Sequence, residues 1–526
     1  MTLADPMTPR SALLRLPVEP RMLAAGVLMM VACPAFGASL ERSNALGMEP
    51  NDSDALNRRD TINVGEERKS GSRIQLSKQL STKLTYSDNL NSSNGSNGSK
   101  SGGFIWEVVP GFVLNADGRH LDVNIAYSAL VSYEVSDDSG SRVDNRLQAD
   151  LVSELYEDHL FLDLAVTGRQ ELIDSFASGT FDTVGLNGNN LQTSWTYRVK
   201  PSYRERFGRY SDLQVDLETN GVFYSDTAND DSQGYVANAR LTNGPFWEPA
   251  FYELRAEYEE EQYQGEGTNR FASLQGDLGY RVDRRWRFLT SVGYEDNDYA
   301  SLEDTSGPIW GLGLDWTPTV RTRLFSALEH HYYGWAPRFE VSHRSKRSQL
   351  TGRYERGIET IRSQRLQQNV YSFEDPFGEP TVPEFGTDPS VFGIDSMPSE
   401  TAFISDRLEL EYRLQTRRST VTLGVSYETR DYELPQEDEA FAEGRFSVTR
   451  NLSSAMSATL LLRLNDRRRD TGENTTGEAT SVNEYALDFG LSRRLSEHLS
   501  ASMDYGFRNY EDGPENRVTA SLVLSW

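Results

Sequence analysis

The sequence predicts an all-β chain that closes as a transmembrane antiparallel up-and-down β-barrel of about 22 strands (range about 18–24), with short periplasmic turns and longer extracellular loops. Three observations predict it. Apolar and polar residues alternate along most of the chain from Ile74 onward. The connections between these segments alternate between short and long. The last segment, Arg517 to Trp526, is itself such a strand and stops on an aromatic residue.

Alternation with a period of two gives a strand one dry face and one wet face. In the final segment Val518, Ala520, Leu522, Leu524 and Trp526 share the dry face, and Val523 is the exception on the wet one. Leu522, Leu524 and Trp526 resemble the terminal signal by which outer-membrane barrels are recognised for assembly. The clearest internal strand sets Leu121, Val123, Ile125, Tyr127, Ala129, Val131 and Tyr133 against Asp122, Asn124, Ser128 and Ser132. Similar runs recur at 160–166, 191–199, 252–258, 310–316, 408–414, 421–427 and 499–507. Each has about the length a tilted strand needs to cross a bilayer. Weaker segments near 235–243, 337–345 and 441–450 set the range in strand number.

Bulk composition fits. Only 37% of the residues are hydrophobic and mean hydropathy is -0.59, which excludes a helical membrane protein. A barrel needs apolar residues on one face of each strand alone, so a low average is expected. The alternative for this composition is a soluble all-β protein. The formal charge of -26 argues against nucleic acid as a partner. It fits acidic loops above a lipopolysaccharide leaflet, and equally the plain solubility of loops.

The N-terminus carries the marks of a secretion signal over residues 1–37. Arg10, Arg15 and Arg21 flank or precede an apolar run from Met22 to Ala32, and Ala35-Phe36-Gly37 fits a cleavage site before Ala38. The single Cys, Cys33, lies within it; Pro34 directly after argues against lipidation. Residues 38–73 are polar and aperiodic and read as a flexible periplasmic segment, too short for a folded plug. Residues 74–526 form the barrel, whose location is the bacterial outer membrane.

Short connections include 116–119, 156–159, 283–285, 416–418 and 493–496. Long ones include 87–102, 174–188, 297–307 and 467–481. The largest insertion, 362–402, carries Pro376, Pro380, Pro383, Pro389 and Pro398 together with Phe373, Phe377, Phe385 and Phe392. A connection this long is functional or disordered. It reads as an extracellular loop that either constricts the mouth or moves freely on the surface.

No catalytic, cofactor or metal site is expected. The sequence has 6 His, of which His120, His159 and His498 fall at turns, and adjacent His330 and His331 must face opposite sides of one strand. The zinc-protease, paired-cysteine, hydrolase-elbow and P-loop patterns are not present. The informative set is the wet face. Asp144, Arg146, Asp150 and Glu154 would line the lumen from one strand, Glu253, Arg255 and Glu257 from a second, and Arg407, Glu409, Glu411 and Arg413 from a third. Opposite charges on neighbouring wall positions pair, and a mixed wall suits a large polar solute better than an ion filter.

Several short stretches carry a family resemblance: Leu84-Thr85-Tyr86-Ser87-Asp88-Asn89-Leu90, Val109-Pro110-Gly111-Phe112, Arg321-Thr322-Arg323-Leu324 with Tyr333-Gly334, and Tyr354-Glu355-Arg356. Over roughly residues 74–526 the chain resembles β-barrels of the porin type 2 group associated with exopolysaccharide and PEP-CTERM/exosortase loci. The resemblance implies an outer-membrane channel assisting exopolysaccharide export, with a periplasmic polysaccharide-export protein and the polysaccharide as partners. The lipid bilayer, lipopolysaccharide and the outer-membrane assembly machinery are the partners that any such barrel has. A general diffusion porin, or a structural or adhesion barrel with a closed lumen, are the alternatives.

Overall fold

The computed structural model describes residues 73–90, 102–135, 140–172, 191–225, 231–264, 267–301, 304–367, 401–432, 438–470, 480–510 and 513–526. The secretion signal, the segment before Arg73 and the aromatic and proline positions of the longest insertion lie outside the described residues.

Strands β1 (Arg73–Ser87), β2 (Gly103–Asp117), β3 (Leu121–Val135), β4 (Ser141–Tyr156), β5 (Leu160–Leu172), β6 (Leu191–Phe207), β7 (Ser211–Tyr224) and β8 (Ser232–Asn243) open the fold. They continue as β9 (Ala250–Tyr263), β10 (Thr268–Arg281), β11 (Trp286–Asp298), β12 (Ser306–Thr319), β13 (Thr322–His331), β14 (Gly334–Arg344) and β15 (Ser348–Glu359). One short helix, α1 (Ile361–Gln367), precedes β16 (Phe403–Gln415), β17 (Ser419–Tyr432), β18 (Asp438–Ser453), β19 (Met456–Asp470), β20 (Thr480–Arg494), β21 (Leu499–Tyr510) and β22 (Gly513–Ser525). The weak segments near 235–243, 337–345 and 441–450 are the strands β8, β14 and β18.

All 22 strands form one sheet of antiparallel neighbours, and β1 pairs with β22 to close it. Closure satisfies the backbone polar groups that would otherwise face lipid. At the seam Lys78 N donates to Trp526 O (2.9 Å) and Trp526 N donates to Lys78 O (3.0 Å). No helix among the described residues is long and apolar enough to cross a membrane, so crossing is by strands.

The two faces separate as the alternation requires. Leu76, Leu80, Leu84, Leu274, Leu278, Val292, Leu312 and Met503 are exposed on the lipid face. In β22 Val518, Leu522 and Leu524, followed by Trp526, are exposed, while Glu515 and Arg517 are buried on the inner face. Trp195 lies directly opposite Gly168, and Phe251 opposite Gly279. A Cβ on either glycine would fall inside the facing ring, so each aromatic needs its bare backbone position.

Most short turns and both described ends of the barrel-forming chain share one rim, and the long connections occupy the other together with the two-residue turn 332–333 between β13 and β14. That places the short-turn rim in the periplasm. Register shifts lie at that rim, between Glu154 and Tyr156, Trp316 and Thr319, and Asn451 and Ser453. Strands outlast the apolar segments on the outer side. Arg467, the expected first residue of the long connection 467–481, belongs to β19, where it is buried and its guanidinium meets Glu484 at 3.3 Å. Cross-strand ion pairing carries the ladder past the lipid boundary.

Candidate functional site

The inner wall changes character along its length. On β17 Glu428 and Arg430, near the outer rim, are buried, whereas Thr422 and Ser426 further in are partly exposed. On β20 Val482, Glu484 and Ala486 are buried, while Asp488, Gly490 and Ser492 are open to intermediate degree. On β16 Ser405 is buried, but Glu409, Glu411 and Arg413 are exposed. Along β16, β17 and β20 the lumen wall is therefore packed near the outer rim and opens into a vestibule toward the short-turn rim, while on the β9–β13 side Leu289, Phe325 and Ala327 stay packed at that end.

The outer packing centres on α1. Thr360 caps the helix: Thr360 N donates to Ser363 Oγ (3.1 Å), and Ser363 N donates back to Thr360 Oγ1 (3.0 Å). Gln364 N closes the first turn on Thr360 O at 3.1 Å. This reciprocal arrangement is a capping box with Ser in the place of Glu. Residues from Ile361 to Arg365 are all buried, so the helix lies inside the mouth.

Each face of α1 meets a different part of the wall. Arg362 Nε donates to Ser232 Oγ of β8 (3.1 Å), and its Nη2 donates to Asn220 O of β7 (3.3 Å) and to Asn220 Oδ1. Its Nη1 stands 3.6 Å from Glu261 of β9. Glu261 also accepts from Thr360 Oγ1 at 2.9 Å. Arg365 bonds the Tyr224 hydroxyl and lies 5.2 Å over that ring. On the other side, Gln364 Nε2 donates to Glu428 of β17 (2.8 Å), and Arg430 Nη2 donates to Gln364 Oε1 (2.8 Å). Ile361 packs with Phe403 and Tyr432. The helix thus ties β7–β9 to β15–β17 across the mouth. Gly234 makes the seat: a Cβ there would stand 2.5 Å from the Arg362 guanidinium.

Arg430 is the second anchor. It is fully buried between the rings of Phe403 (5.1 Å) and Phe441 (4.4 Å). It also donates to Glu428 at 2.8 Å and to Glu439 at 3.4 Å. A buried cation needs this number of partners, because desolvation removes the water that would otherwise hold it. Beside it, Phe271, Tyr299, Ile358 and Ala402 form an apolar layer with Tyr332 against it.

The wall residues named from the sequence fall in two groups. Asp144, Arg146, Glu253 and Arg255 are buried in wall networks. Asp144 pairs with Arg142 at 2.7 Å, Glu253 with Arg240 at 2.8 Å, and Arg255 with Asp277 at 2.6 Å. Arg407 lies 2.9 Å from Glu359 and 3.4 Å from Glu428, so it supports the latch region. Asp150, Glu154 and Glu257 are partly exposed; Glu154 meets His120 at 2.9 Å beside a turn. Only Glu409, Glu411 and Arg413 are exposed to the vestibule. His330 stacks on Trp310 (5.5 Å), and His331 faces inward to Glu295 (3.1 Å), so the pair does divide between the two faces. Among the described residues, no group of three His, Cys, Asp or Glu is arranged to hold a metal.

The sequence reading began the insertion at Arg362 and passed over α1. The available signal was Thr360 three residues before Ser363, opening a run free of Gly and Pro as far as Gln367.

Fold and site define an outer-membrane β-barrel with a latched outer mouth. No protein-family profile and no curated protein matches the chain. Among solved structures it is similar to a ferric enterobactin receptor variant of Pseudomonas aeruginosa at 10% identity, over 86% of this chain and 80% of that one, TM-score 0.46. The siderophore receptor PirA of Acinetobacter baumannii is similar at 10% identity, over 86% and 80%, TM-score 0.46. The FrpB iron transporter of Neisseria meningitidis is similar at 9% identity, over 85% and 82%, TM-score 0.47. These are likenesses of barrel fold.

The export expectation is corrected here. The three structures named above are, by their descriptions, a ferric enterobactin receptor, a siderophore receptor and an iron transporter, and none is a polysaccharide exporter. Nothing matched ties the chain to exopolysaccharide or PEP-CTERM loci, or to a polysaccharide-export partner. The mouth is crossed by α1, and large exposed aromatics such as Trp106, Tyr133 and Trp310 stand with the lipid-facing set, not along a sugar track. A general diffusion porin is not favoured by a latched mouth. A lumen closed throughout does not fit the exposed Glu409, Glu411 and Arg413.

Proposed function

We propose that this barrel is a gated uptake path, admitting a polar solute from the cell exterior into a vestibule open to the periplasm. The observation that carries the reading is the burial of α1 between β7–β9 and β15–β17 at the outer mouth. Its bonds are polar and run from side chain to side chain. A hydrophilic ligand can replace them group for group, which an apolar plug would not allow. In this reading residues 1–37 direct the chain to the envelope and 38–73 precede the barrel on the periplasmic side. The 362–402 insertion is the extracellular loop whose first turn forms the latch. Glu409, Glu411 and Arg413 line the exit, and Leu522, Leu524 and Trp526 serve barrel assembly. The chain acts as a transporter, without a catalytic step.

The test is conductance of the full chain in planar bilayers, with swelling of liposomes in neutral sugars of graded size. The wild type should conduct poorly, and Arg362→Ala with Gln364→Ala should conduct strongly. A wild type already open to the larger sugars, or an unchanged variant, would overturn the reading.

A further inference from the structure

The periplasmic rim carries a charge opposite to that of the chain as a whole. The sequence has 53 Lys and Arg against 79 Asp and Glu. Yet the successive turns 282–285, 320–321, 345–347 and 416–418 expose Arg284, Arg285, Arg321, Lys346, Arg347, Arg417 and Arg418. The acid within these turns is Asp283, and its carboxylate is engaged locally. It accepts from Arg285 N at 2.7 Å and from Trp286 N at 2.9 Å. Strand spacing puts successive turns on one rim about 10 Å apart, so the cations form a continuous arc.

A second feature shares this arc. Apolar side chains stand bare beside the cations: Val320, next to Arg321, is 100% exposed, and Val282 is 60% exposed. One step toward the membrane, Trp286 and Trp316 stack on the lipid face at 5.2 Å. Moving outward from the bilayer, the order is aromatic, aliphatic tip, cation. Aromatic belts sit at headgroup level, and cations just beyond them reach phosphate. A soluble acidic protein or glycan would satisfy the cations but leave the aliphatic tips in water.

We propose that this arc is a docking surface for anionic phospholipid in the periplasmic leaflet, its phosphodiester headgroups held by the turn cations and its acyl chains covering Val282 and Val320. A collar of this kind would fix the barrel's depth and tilt at its narrow-turn rim.

The test reconstitutes the full chain in nanodiscs of phosphatidylethanolamine mixed with phosphatidylglycerol. The barrel is re-extracted in mild detergent, and the retained lipid is measured by mass spectrometry. Phosphatidylglycerol should be enriched over its bulk share on the order of tenfold, since each surface cation near anionic lipid contributes appreciably. Substituting all seven cations by Gln should return the ratio to bulk while heat-modifiable migration in gels shows the barrel intact. If that variant does not fold, the wild type in rising salt decides the matter, because screening must erode the enrichment. A bulk ratio in the wild type would overturn the proposal. So would enrichment that survives both the substitutions and the salt.

Discussion

Arg362 and Glu261 meet inside the mouth at 3.6 Å, with side-chain exposures of 3% and 0%. One belongs to the helix after β15, the other to β9, so the pair spans the mouth rather than a single ladder. Removing one partner of a buried pair costs about 3–5 kcal/mol because the other is left unpaired. That loss falls on the latched state alone. Arg362→Ala and Glu261→Gln should therefore each raise open probability by about a hundredfold or more, read as single-channel conductance. The double variant should open less than the sum of the two, with a coupling of about 1 kcal/mol or more. Additive effects would show that the two residues act separately.

Gly234 offers an independent route to the same state. A Cβ at 2.5 Å from Arg362 requires the guanidinium to move. Gly234→Leu should unseat the latch and raise conductance while lowering the unfolding free energy by about 1–3 kcal/mol, since the new side chain also presses on Asn220 of the wall. A closed channel in Gly234→Leu would show that the seat is not needed.

Arg430 holds the wall as well as the latch. Arg430→Ala leaves Glu428 and Glu439 facing each other's charge in a buried layer. It should destabilise the barrel by about 3 kcal/mol or more in urea titrations and open the mouth to protease. Arg430→Lys should recover little, because one ammonium cannot lie flat between Phe403 and Phe441 and still serve its polar partners. Full recovery by Lys would reduce the role of Arg430 to charge alone.

Faces of one wall should respond oppositely to charge. Val292, exposed near the middle of β11, faces lipid, and Val292→Arg should cost about 2–4 kcal/mol in refolding into vesicles. Glu411→Arg, on the vestibule face of β16, should leave stability within about 0.5 kcal/mol and shift ion selectivity toward anions. Equal costs at both positions would contradict the assignment of faces.

The closing seam depends on the last residue. Deleting Trp526 removes its reciprocal backbone bonds with Lys78 and an exposed lipid-facing ring. The heat-modifiable, folded fraction in cell membranes should fall severalfold, while Trp526→Phe should keep most of it. Undiminished assembly on deletion would place the signal elsewhere.

Much of the fold is legible in the residues. The alternation from Val518 to Trp526 is enough to place Leu522 and Leu524 on the lipid face, where both are exposed, because side-chain direction in a strand repeats every two residues. Even the weak segment near 441–450 is a strand, with Phe441 buried inward beneath Arg430. The wall charges Asp144, Glu253 and Arg255 were readable as inward, but not as buried. Burial depends on what packs across the lumen. Arg467 shows the reverse error: it was placed at the start of the connection 467–481, and cross-strand pairing with Glu484 keeps it in the sheet.

The sequence by itself determined the barrel class, the two faces and the rim from which the long connections leave, and it bounded the strand number, since period and turn length are local properties. Only the tertiary structure decided that Arg362 reaches Asn220, 142 residues away, and Thr360 reaches Glu261, 99 residues away. No local pattern encodes such a meeting. It exists because closing the sheet brings β7–β9 and β15–β17 around one mouth, where buried polar groups of the helix must find partners or lose free energy.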